Sequence, residues 1–576
     1  MTPKAVNALS GQACEGRFWT THYPAGVPAD LPSAGTEHTS LAHFFTHICQ
    51  LHGSKTAFIN LGTELSYSQL LTRAQQLCFG LHHLGIQPGD RVALMMPNIL
   101  QYPVSVFGTL MAGAVVVNTN PLYTARELRH QLQDAGARVL IVAENFAHTA
   151  SQALTDTCVE HVVITSIGDL LGSVKGRLIN AVIKYVRKGI PDYHIEKARR
   201  FHEILSLGKE YSGLINRLPA SDDLAFLQYT GGTTGTARGA LLTHQNLLAN
   251  MDQAHHWIKG SLRTSQTTRD QETVVTALPL YHIFALTGNC LTFLKLGGRN
   301  ILITNPRDIK GLIKTLRTHS FSAITGVNTL FNALLQHQDI HRIDFSRLKV
   351  TLGGGMAVEP KVAQRWHEVT GNHLTQAYGL TEASPAVAIN PLGMPYNGSV
   401  GLPVPETDLI VCDDMGDPLP PGQVGEVYVR GPQVSQGYWC GNQLPDTHRL
   451  VNGFFKTGDI GHLDHQGFLT LIDRLNDLII VSGFNVYPNE VEHVVRQLDG
   501  IKEVAAIGEP NEQSGQSVKL FVIPDDNAPS AHTIEQHCRA HLAAYKVPRN
   551  IVFCDSLPRS PLGKVLRRAL RQSATP

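Results

Sequence analysis

The sequence lacks features that would indicate several other classes of protein. Its formal net charge is only +1 over 576 residues, so no excess of basic residues indicates nucleic acid as a partner. Its nine cysteines are odd in number and include no Cys-x-x-Cys pair, which argues against a zinc ribbon or a disulfide framework. This cysteine usage suits a reducing compartment and predicts a cytoplasmic location.

Apolar segments that would insert into a membrane are also missing. Residues 1–26 contain no continuous apolar core of the kind found in a signal peptide. The longest apolar stretch, 104–117, is broken by polar residues and glycines and is too short to cross a bilayer. We expect it to form a buried strand and helix.

Two hydrolase motifs are absent. No Gly-x-Ser-x-Gly sequence occurs, which argues against a serine hydrolase of the α/β type. No His-Glu-x-x-His sequence occurs either, which argues against a zinc protease.

What the chain does contain is a loop rich in glycine and threonine, directly after an apolar run at 224–227 that is predicted to be a strand. The loop consists of Gln228, Tyr229, Thr230, Gly231, Gly232, Thr233, Thr234, Gly235, Thr236, Ala237, Arg238 and Gly239. Glycines let backbone amides point inward, and threonine hydroxyls add donors. Such a loop suits a phosphate chain, whereas a plain flexible turn has no need of four threonines. It is not a Walker A loop, because no Gly-Lys-Ser/Thr ends it.

Helical and strand patterns alternate through most of the chain. They predict helices at 65–84 and 127–134 and strands at 91–96 and 138–142. Further strands are predicted at 273–278, 299–303 and 322–324. This alternation predicts βαβ units and a largely parallel sheet.

The pattern changes after about residue 409. Short strands and turns rich in Gly, Pro and Asp predict an antiparallel or barrel-like subdomain. A polar stretch at 473–477 is a candidate linker, and the residues beyond it predict a compact α+β unit. We therefore expect an N-terminal extension at 1–40, a large domain at 41–475 and a C-terminal domain at 476–576.

The segment 169–200 carries an amphipathic helical pattern. One face would hold Val174, Leu178, Val182 and Tyr185, with Lys175, Arg177, Lys184, Arg187 and Lys188 near them. A basic amphipathic helix can lie on an anionic membrane. The alternative is a surface helix that packs its apolar stripe on the core and leaves its cations in water.

Several short motifs follow the glycine-rich loop. They are 278–284 with His282, 353–356 with Gly353, Gly354 and Gly355, 376–382 with Gln376, Ala377, Tyr378, Gly379, Thr381 and Glu382, 456–459 with Asp459, 473–485 with Arg474, Ser482, Gly483 and Phe484, and 559–564 with Lys564. In this order they resemble the acyl-adenylate-forming superfamily, which includes acyl-CoA synthetases, luciferases and peptide-synthetase adenylation domains. The resemblance covers nearly all of the chain after about residue 40. It is strongest to bacterial long-chain fatty-acid–CoA ligases.

The resemblance implies an α/β fold and a two-step reaction. The fold would be a large N-terminal domain of α/β subdomains with a small β-barrel-like subdomain, followed by a small mobile α+β C-terminal domain. A medium- or long-chain fatty acid would react with ATP to give acyl-AMP and pyrophosphate, and the acyl group would then pass to CoA. Fatty acid, ATP, CoA and Mg²⁺ are the implied partners, without nucleic acid. Peripheral contact with lipid on the inner face of the membrane, and a homodimer, are left open.

The resemblance also implies roles for residues that would bind the nucleotide. The loop from Thr230 to Gly235 would cradle the β- and γ-phosphates, with Tyr229 and Arg238 at its ends as further nucleotide-binding residues. Glu382, with Thr381 beside it, would hold Mg²⁺. Tyr378 would stack on adenine within the motif that includes Gln376, Ala377 and Gly379. Asp459 would accept the ribose hydroxyls, and Arg474 would contact ribose or phosphate. The structural alternatives are a core tyrosine for Tyr378, a surface carboxylate for Glu382 and an ordinary turn for Asp459.

A second group of implied roles concerns the acyl and CoA groups. Gly353, Gly354 and Gly355 would let substrate and adenine approach the backbone, and His282 would border the acyl and CoA path. Ser482, Gly483 and Phe484 would line the pantetheine channel. Lys564 would present its ammonium to the α-phosphate and the carboxylate. A structural histidine and a solvated lysine are the alternatives for His282 and Lys564.

Two positions depart from the usual pattern of the family. Arg238 stands where the phosphate loop usually has Lys, which keeps the charge but changes its geometry. Asn476 stands at the hinge, where Asp or Lys is usual; asparagine tolerates unusual backbone angles.

Two other functions remain open at this point. The chain could adenylate a different acid or use another acceptor, although 471–486 lacks the extra segment found in fatty acyl-AMP ligases. It could also be a non-catalytic acyl-binding protein, although Glu382, Asp459, Arg474 and Lys564 are all retained.

Overall fold

The computed structural model describes residues 17–31, 38–210, 219–230, 237–262, 271–441, 443–482, 484–511, 513–525, 527–560 and 563–574. The described residues divide into two compact units. The larger holds Arg17–Asp408 and Arg430–Phe455, and the smaller holds the described parts of Leu409–Val429 and Lys456–Pro576. Among these residues, no helix combines the length and the apolar character needed to cross a membrane.

The larger unit contains a seven-stranded sheet. Its strands lie in the order Arg199–Arg200, His161–Thr165, Val139–Ala143, Arg91–Met95, Val115–Asn118, Leu224–Thr230 and Arg238–Thr243. All neighbouring strands are parallel except the last pair, which is antiparallel. The central strands are apolar throughout because both faces of the sheet are buried. The predicted strands at 91–96 and 138–142 are confirmed to within one residue.

A nine-stranded sheet forms the rest of the larger unit. Its strands lie in the order Leu402–Pro403, Ala386–Ile389, Leu374–Gly379, Val350–Gly353, Ala323–Gly326, Thr273–Thr276, Arg299–Leu302, Thr56–Asn60 and Thr63–Ser66. The strands from Leu374–Gly379 to Thr56–Asn60 are parallel, and both ends of the sheet are antiparallel. The expectation of largely parallel sheets is therefore confirmed.

Helices pack against these sheets. Those of the larger unit are Leu41–His52, Tyr67–His83, Gln101–Met111, Ala125–Ala135, Ala147–Ala153, Ser173–Ala181, Phe201–Glu210, His244–Ile258, Thr292–Lys295, Ile309–Thr318, Asn328–Gln336 and Pro360–Thr370. Capping boxes fix three of the helix starts, at Ser66, Thr124 and Thr243. The helix predicted at 65–84 begins two residues later than expected, because residues 63–66 form a strand that ends at the Ser66 cap.

The next strands of the chain form a five-stranded sheet. Asp408–Cys412, Gly425–Arg430 and Phe454–Leu463 are neighbouring strands of this sheet, and Leu450–Val451 and Leu469–Arg474 both pair with Phe454–Leu463. Both of these pairings with Phe454–Leu463 are antiparallel, as expected after residue 409.

A separate five-stranded sheet forms the C-terminal part of the smaller unit. Phe484–Val486, Ile479–Val481, Gly515–Pro524 and Ile501–Asn511 lie in that order, and Asn550–Phe553 pairs with Gly515–Pro524. The helices are Pro488–Val495, Ala531–His541 and Arg567–Ala574. Their apolar faces close a core that includes Val491, Val495 and Ile534. The boundary predicted at residue 476 lies within the smaller unit, and the predicted domain limits stay predictions.

The amphipathic segment does not pack its apolar stripe on the core. Ser173–Ala181 is α-helical and Val182–Val186 continues it as a π-helical turn. Val174 is 81% exposed, Leu178 63% and Tyr185 72%. The alternative in which this stripe faces inward is wrong for these residues, because Gly176 and Asn180 occupy the inner side instead.

Candidate active site

Three predicted motifs follow parallel strands of the nine-stranded sheet. His282 lies after Thr273–Thr276, Gly354 follows Val350–Gly353, and Tyr378 is the last residue but one of Leu374–Gly379. These strands are parallel members of one sheet. The carboxyl ends of parallel strands meet at one edge, where α/β proteins commonly bind ligands. The fold therefore brings the three motifs together.

Gly354 lies tightly between the other two motifs. A Cβ atom added at Gly354 would be 3.0 Å from Cε1 of Phe284 and 3.3 Å from the carbonyl oxygen of Ala377. The backbone amide of Phe284 donates to Nδ1 of His282 over 3.3 Å. Burial lowers the pKa of His282 to about 4, so its imidazole is neutral at pH 7. His282 therefore offers this edge a neutral ring and no charge.

The two ends of the predicted phosphate loop are held side by side. Tyr229 pairs with Gly239, and Thr230 pairs with Arg238, in the antiparallel end of the seven-stranded sheet. Nε2 of Gln228 donates to the carbonyl oxygen of Tyr281, next to His282, over 2.9 Å. The fold thus joins the loop to the histidine motif. The predicted loop residues Gly231, Gly232, Thr233, Thr234 and Gly235 lie outside the described residues.

Glu382 is a buried carboxylate with a defined hydrogen-bond partner. It is 9% exposed, in the short helical turn Thr381–Ala383. The hydroxyl of Tyr438 donates to its Oε1 over 2.5 Å. Burial, together with the negative charge of Glu382, raises the pKa of Tyr438 well above its usual value, so the phenol keeps its proton. One carboxylate oxygen of Glu382 is thereby fixed.

Residues 437–439, the aromatic strap, were not predicted as part of the site. The amide of Trp439 donates to the carbonyl oxygen of Gly239 over 2.8 Å, and the amide of Leu241 donates to that of Gly437 over 3.0 Å. The strap therefore runs along the strand that follows the phosphate loop. Its sequence signal is Gly-Tyr-Trp, two aromatic residues in a turn-rich segment.

The side chains of the strap reach both ends of the loop. Nε1 of Trp439 donates to the carbonyl oxygen of Asp134 over 2.8 Å, and the Asp134 carboxylate accepts from the Tyr229 hydroxyl over 2.5 Å. The guanidinium of Arg238 lies 5.9 Å from the Tyr438 ring centre and pairs with Asp446 over 3.0 Å. The strap thus links the loop ends to Glu382.

Other predicted nucleotide-binding residues have scaffold contacts. The Gln376 side chain accepts from the amide of Val358 over 2.7 Å and donates to the carbonyl oxygen of Ser399 over 3.0 Å. A Cβ added at Gly379 would be 2.3 Å from the carbonyl oxygen of Pro385. Tyr378 is 8% exposed. These contacts fix the strand end, and the adenine-binding role of Tyr378 stays a prediction.

In the smaller unit, Asp459 and Arg474 lie opposite each other on paired strands. Nε of Arg474 contacts Oδ1 of Asp459 over 2.9 Å. The backbone amide of Asp459 donates to Oγ1 of Thr457 over 3.0 Å, which holds the local backbone. Asp459 is 5% exposed, whereas the Arg474 side chain is 42% exposed. The pair presents a buried acceptor beside an accessible guanidinium.

Lys564 lies in the electrostatic field of this pair. Burial, and then the positive charge of Arg474, lower the pKa of Lys564 to about 8, against the opposing effect of Asp459 and Asp477. Its backbone is held in a turn, because the Ser560 amide donates to the Lys564 carbonyl oxygen over 2.7 Å. The fold brings Lys564, Asp459 and Arg474 within electrostatic reach of one another.

The start of the following helix is fixed by buried charge. Nη2 of Arg567 contacts Oε1 of Glu492 over 2.8 Å, and Nη1 contacts Oδ2 of Asp477 over 3.3 Å. The Glu492 side chain is only 5% exposed. Because Asp477 lies next to the predicted hinge at Asn476, Arg567 connects the lysine turn to the hinge.

The predicted pantetheine-channel residues lie at one edge of the C-terminal sheet. The amide of Ser482 donates to the carbonyl oxygen of Ser514 over 2.8 Å. The Phe484 ring stacks on Tyr545 with 4.7 Å between ring centres, and Phe484 is 56% exposed. Gly483 lies outside the described residues. The channel role of all three stays a prediction.

Glu382 has the chemistry of a magnesium ligand. Mg²⁺ prefers hard oxygen donors and commonly binds through one or two carboxylates together with phosphates and water. The Glu382 carboxylate, oriented by Tyr438, could supply the one protein carboxylate that such a magnesium site needs. Among the described residues, no three His, Cys, Asp or Glu side chains cluster to form a complete metal cage.

Comparison with known proteins gives near full-length matches. The sequence is 49% identical over 562 residues to the long-chain-fatty-acid–CoA ligase of Salmonella typhimurium, covering 97% of this chain and 98% of that protein. The structure resembles the anthranilate CoA ligase AuaEII in complex with anthranoyl-AMP, with a TM-score of 0.79, 25% identity and coverage of 93% and 97%. It also resembles ATP-bound MatB from Rhodopseudomonas palustris, with a TM-score of 0.76, 27% identity and coverage of 92% and 98%.

Two family profiles match the chain. The profile described as AMP-binding enzyme covers residues 45–439, and that described as AMP-binding enzyme C-terminal domain covers residues 490–564. The first alone spans more than half of the chain. The chain therefore belongs to the family of AMP-binding enzymes.

Proposed function

We propose that this protein is a fatty-acid–CoA ligase that forms AMP. It activates a medium- or long-chain fatty acid with ATP and passes the acyl group to CoA. The reaction type is supported by the half-buried Lys564 ammonium in the field of Asp459 and Arg474. The substrate class is supported by the 49% identity, over nearly the full length, to a long-chain-fatty-acid–CoA ligase.

In the first step, a carboxylate oxygen of the fatty acid attacks the α-phosphorus of ATP. A phosphorus–oxygen bond breaks, and pyrophosphate leaves with its electron pair. Two unit charges about 4 Å apart repel by about 4 kcal/mol at an effective dielectric constant near 20, which would slow the reaction roughly a thousandfold. We assign the compensation to the Lys564 ammonium and to the amides and hydroxyls of the loop that begins at Thr230.

Glu382 acts by binding rather than by proton transfer. Its carboxylate would hold Mg²⁺, which supplies charge neutralisation at the phosphate oxygens when bound. Tyr438 fixes the orientation of that carboxylate. Asp459 accepts hydrogen bonds from the ribose, and Tyr378 stacks on the adenine.

In the second step, the CoA sulfur attacks the acyl carbon of the mixed anhydride. The carbon–oxygen bond to phosphate breaks, AMP leaves with the electron pair and the thiol proton passes to water, which gives a thioester. We propose that Ser482, Gly483 and Phe484 line the pantetheine path. Rotation about Asn476 would replace Lys564 at the substrate by the edge that carries Ser482 and Phe484. One substrate site would then serve both reactions. The domain limits 41–475 and 476–576 follow from this hinge.

A reaction assay tests the proposal. Purified protein with ATP, Mg²⁺ and palmitate should exchange labelled pyrophosphate into ATP, and addition of CoA should yield palmitoyl-CoA and AMP. Benzoate should be a far poorer substrate in the same assay. Exchange with benzoate but not palmitate would identify an aryl-acid enzyme, and absence of exchange with any acid would indicate a non-catalytic acyl-binding protein.

Location and assembly belong to the same proposal. We infer a cytoplasmic enzyme that contacts the lipid membrane peripherally, because its described cysteines are free thiols and its substrate partitions into lipid. A homodimer stays a prediction, which light scattering of the purified protein would test.

A further inference from the structure

The segment 173–188, here called the basic helix, is helical over Ser173–Val186 and has an unusual orientation. An added Cβ at Gly176 would lie 2.1 Å from the carbonyl oxygen of Gly168, so the helix backbone packs directly on the body of the larger unit. Asn180 accepts from the Gly168 amide over 2.7 Å and donates to Asp169 over 3.2 Å. Small and polar residues therefore form the inner side of this helix.

The outer side of the basic helix is apolar. Val174, Leu178, Tyr185 and Val186 are 81%, 63%, 72% and 75% exposed. A surface helix of a globular protein normally has the opposite arrangement, with its apolar stripe toward the core. The hairpin of Thr56–Asn60 and Thr63–Ser66 extends this apolar patch. Lys175 donates to the carbonyl oxygen of Leu61, in the hairpin turn, over 2.5 Å, and the Leu61 side chain is 48% exposed.

The charge of the basic helix indicates what covers this patch. Residues 173–188 contain the basic residues Lys175, Arg177, Lys184, Arg187 and Lys188 and no acidic residue. These five positive charges within sixteen residues exceed the net charge of the whole chain, which is +1. A second copy of the chain that met this patch face to face would oppose like charges. An anionic surface with an apolar interior complements both properties.

We propose that the basic helix docks the protein on an anionic lipid bilayer. Its apolar outer side chains enter the boundary between headgroups and acyl chains, and Arg177, Lys184, Arg187 and Lys188 meet anionic headgroups. Lys175 instead fixes the helix to the hairpin. This surface is separate from the residues assigned to catalysis, and the docking does not depend on the proposed ligase reaction.

Vesicle sedimentation with the full chain tests this docking. The wild-type protein should bind vesicles that contain phosphatidylglycerol and should not bind vesicles of phosphatidylcholine alone. The triple variant Lys184→Glu, Arg187→Glu, Lys188→Glu should bind the anionic vesicles roughly 100-fold more weakly. Each basic residue near such a surface strengthens binding about fivefold, and three of them are lost. The double variant Leu178→Ser, Tyr185→Ser keeps the charge but should also bind more weakly.

A matched control separates docking from total charge. The helix Ile309–Thr318 has exposed Lys310, Lys314 and Arg317, but its apolar residues Leu312, Ile313 and Leu316 are buried. Reversal of those three cations changes the net charge equally and should leave vesicle binding unchanged. Equal binding by the wild type and the triple variant of the basic helix would overturn the proposal.

Two further measurements make the remaining outcomes decisive. If light scattering shows a dimer for the wild type and a monomer for the double variant without lipid, a second copy covers the patch and the proposal is wrong. Pyrophosphate exchange with decanoate should be the same in all variants. Failure of exchange with both decanoate and palmitate in the wild type would remove the proposed ligase function and leave the vesicle result standing.

Discussion

The Tyr438 hydroxyl donates a 2.5 Å hydrogen bond to Oε1 of Glu382, a carboxylate that is 9% exposed. The two residues lie 56 positions apart in the sequence. Burial and the charge of Glu382 raise the pKa of Tyr438, so the phenol acts as a permanent donor at physiological pH. We therefore expect Tyr438 to position Glu382 for Mg²⁺ and phosphate.

Tyr438→Phe should weaken the use of magnesium and ATP. Loss of a hydrogen bond to a buried charged group costs about 1.5–3 kcal/mol, so kcat/KM for adenylation should fall roughly 10- to 100-fold. The concentration of Mg²⁺ needed for half-maximal exchange should rise. Calorimetric titration of ATP with and without Mg²⁺ gives a second readout that does not depend on turnover.

Tyr193→Phe is the matched control for this variant. The Tyr193 hydroxyl also donates to a buried carboxylate, Oε1 of Glu144, over 2.8 Å. Its loss should lower the free energy of unfolding and leave the Mg²⁺ dependence unchanged. If the two variants show the same Mg²⁺ dependence, Tyr438 has only a structural role.

Lys564→Ala should separate the two half-reactions. Acyl-AMP formation should fall at least a thousandfold, because the charge repulsion at the α-phosphate loses its mobile cation. Thioester formation from supplied acyl-AMP should be largely retained. Pyrophosphate exchange and CoA-thioester formation, measured separately on the same preparation, check this difference. An adenylation rate equal to that of the wild type would refute the role of Lys564.

The pKa of Lys564 predicts an alkaline limit to adenylation. Its pKa in the folded protein is lowered to about 8 from 10.5, so the ammonium is present at pH 7 and is lost as the pH rises through about 8. The value of kcat/KM, which reports on the free enzyme, should therefore fall above pH 8. Lys564→Arg should move this limit to higher pH, because a guanidinium stays charged.

The lowered pKa of Lys564 also makes the free energy of unfolding depend on pH. Between pH 8 and 10.5 the unfolded chain binds more protons at this position than the folded chain. The contribution of Lys564 to stability therefore rises with pH across that window. Melting temperatures of the wild type and Lys564→Met should converge as the pH rises.

Gly379→Ala should destabilise the strand end that carries Tyr378. The added Cβ would lie 2.3 Å from the carbonyl oxygen of Pro385, a backbone atom that cannot rotate away. We expect a loss of about 1–3 kcal/mol of unfolding free energy together with a higher KM for ATP. Gly260→Ala is the control, because its Cβ would meet no atom within 4 Å. Equal melting temperatures for the two variants would contradict this account.

The sequence predicted the sheets and the order of motifs well, for a physical reason. Strands such as Arg91–Met95 and Val139–Ala143 are buried on both faces and therefore read as continuous apolar runs. Motifs that follow such strands must meet at the carboxyl edge, which is where Gly354 and Tyr378 lie. Helix starts depend on caps that an apolar period does not show: the helix predicted at 65–84 begins at Tyr67, after the Ser66 cap.

Two features could not be predicted from local pattern. Tyr438 meets Glu382 through irregular backbone, and no periodicity indicates which distant side chain a strap residue contacts. The apolar stripe of the basic helix was visible, but a helical period does not state which side faces the body. Gly176 decides it, because only a residue without a side chain fits against Gly168.

The central claim is that one chain activates fatty acids through acyl-AMP and transfers them to CoA. Its most direct test is AMP release by the wild-type protein with hexanoate, decanoate and palmitate, each with and without CoA. Each buried methylene contributes about 0.8 kcal/mol, so kcat/KM should rise steeply with chain length, and sustained AMP release should require CoA. Release that is independent of CoA, or equal for hexanoate and palmitate, would contradict the account.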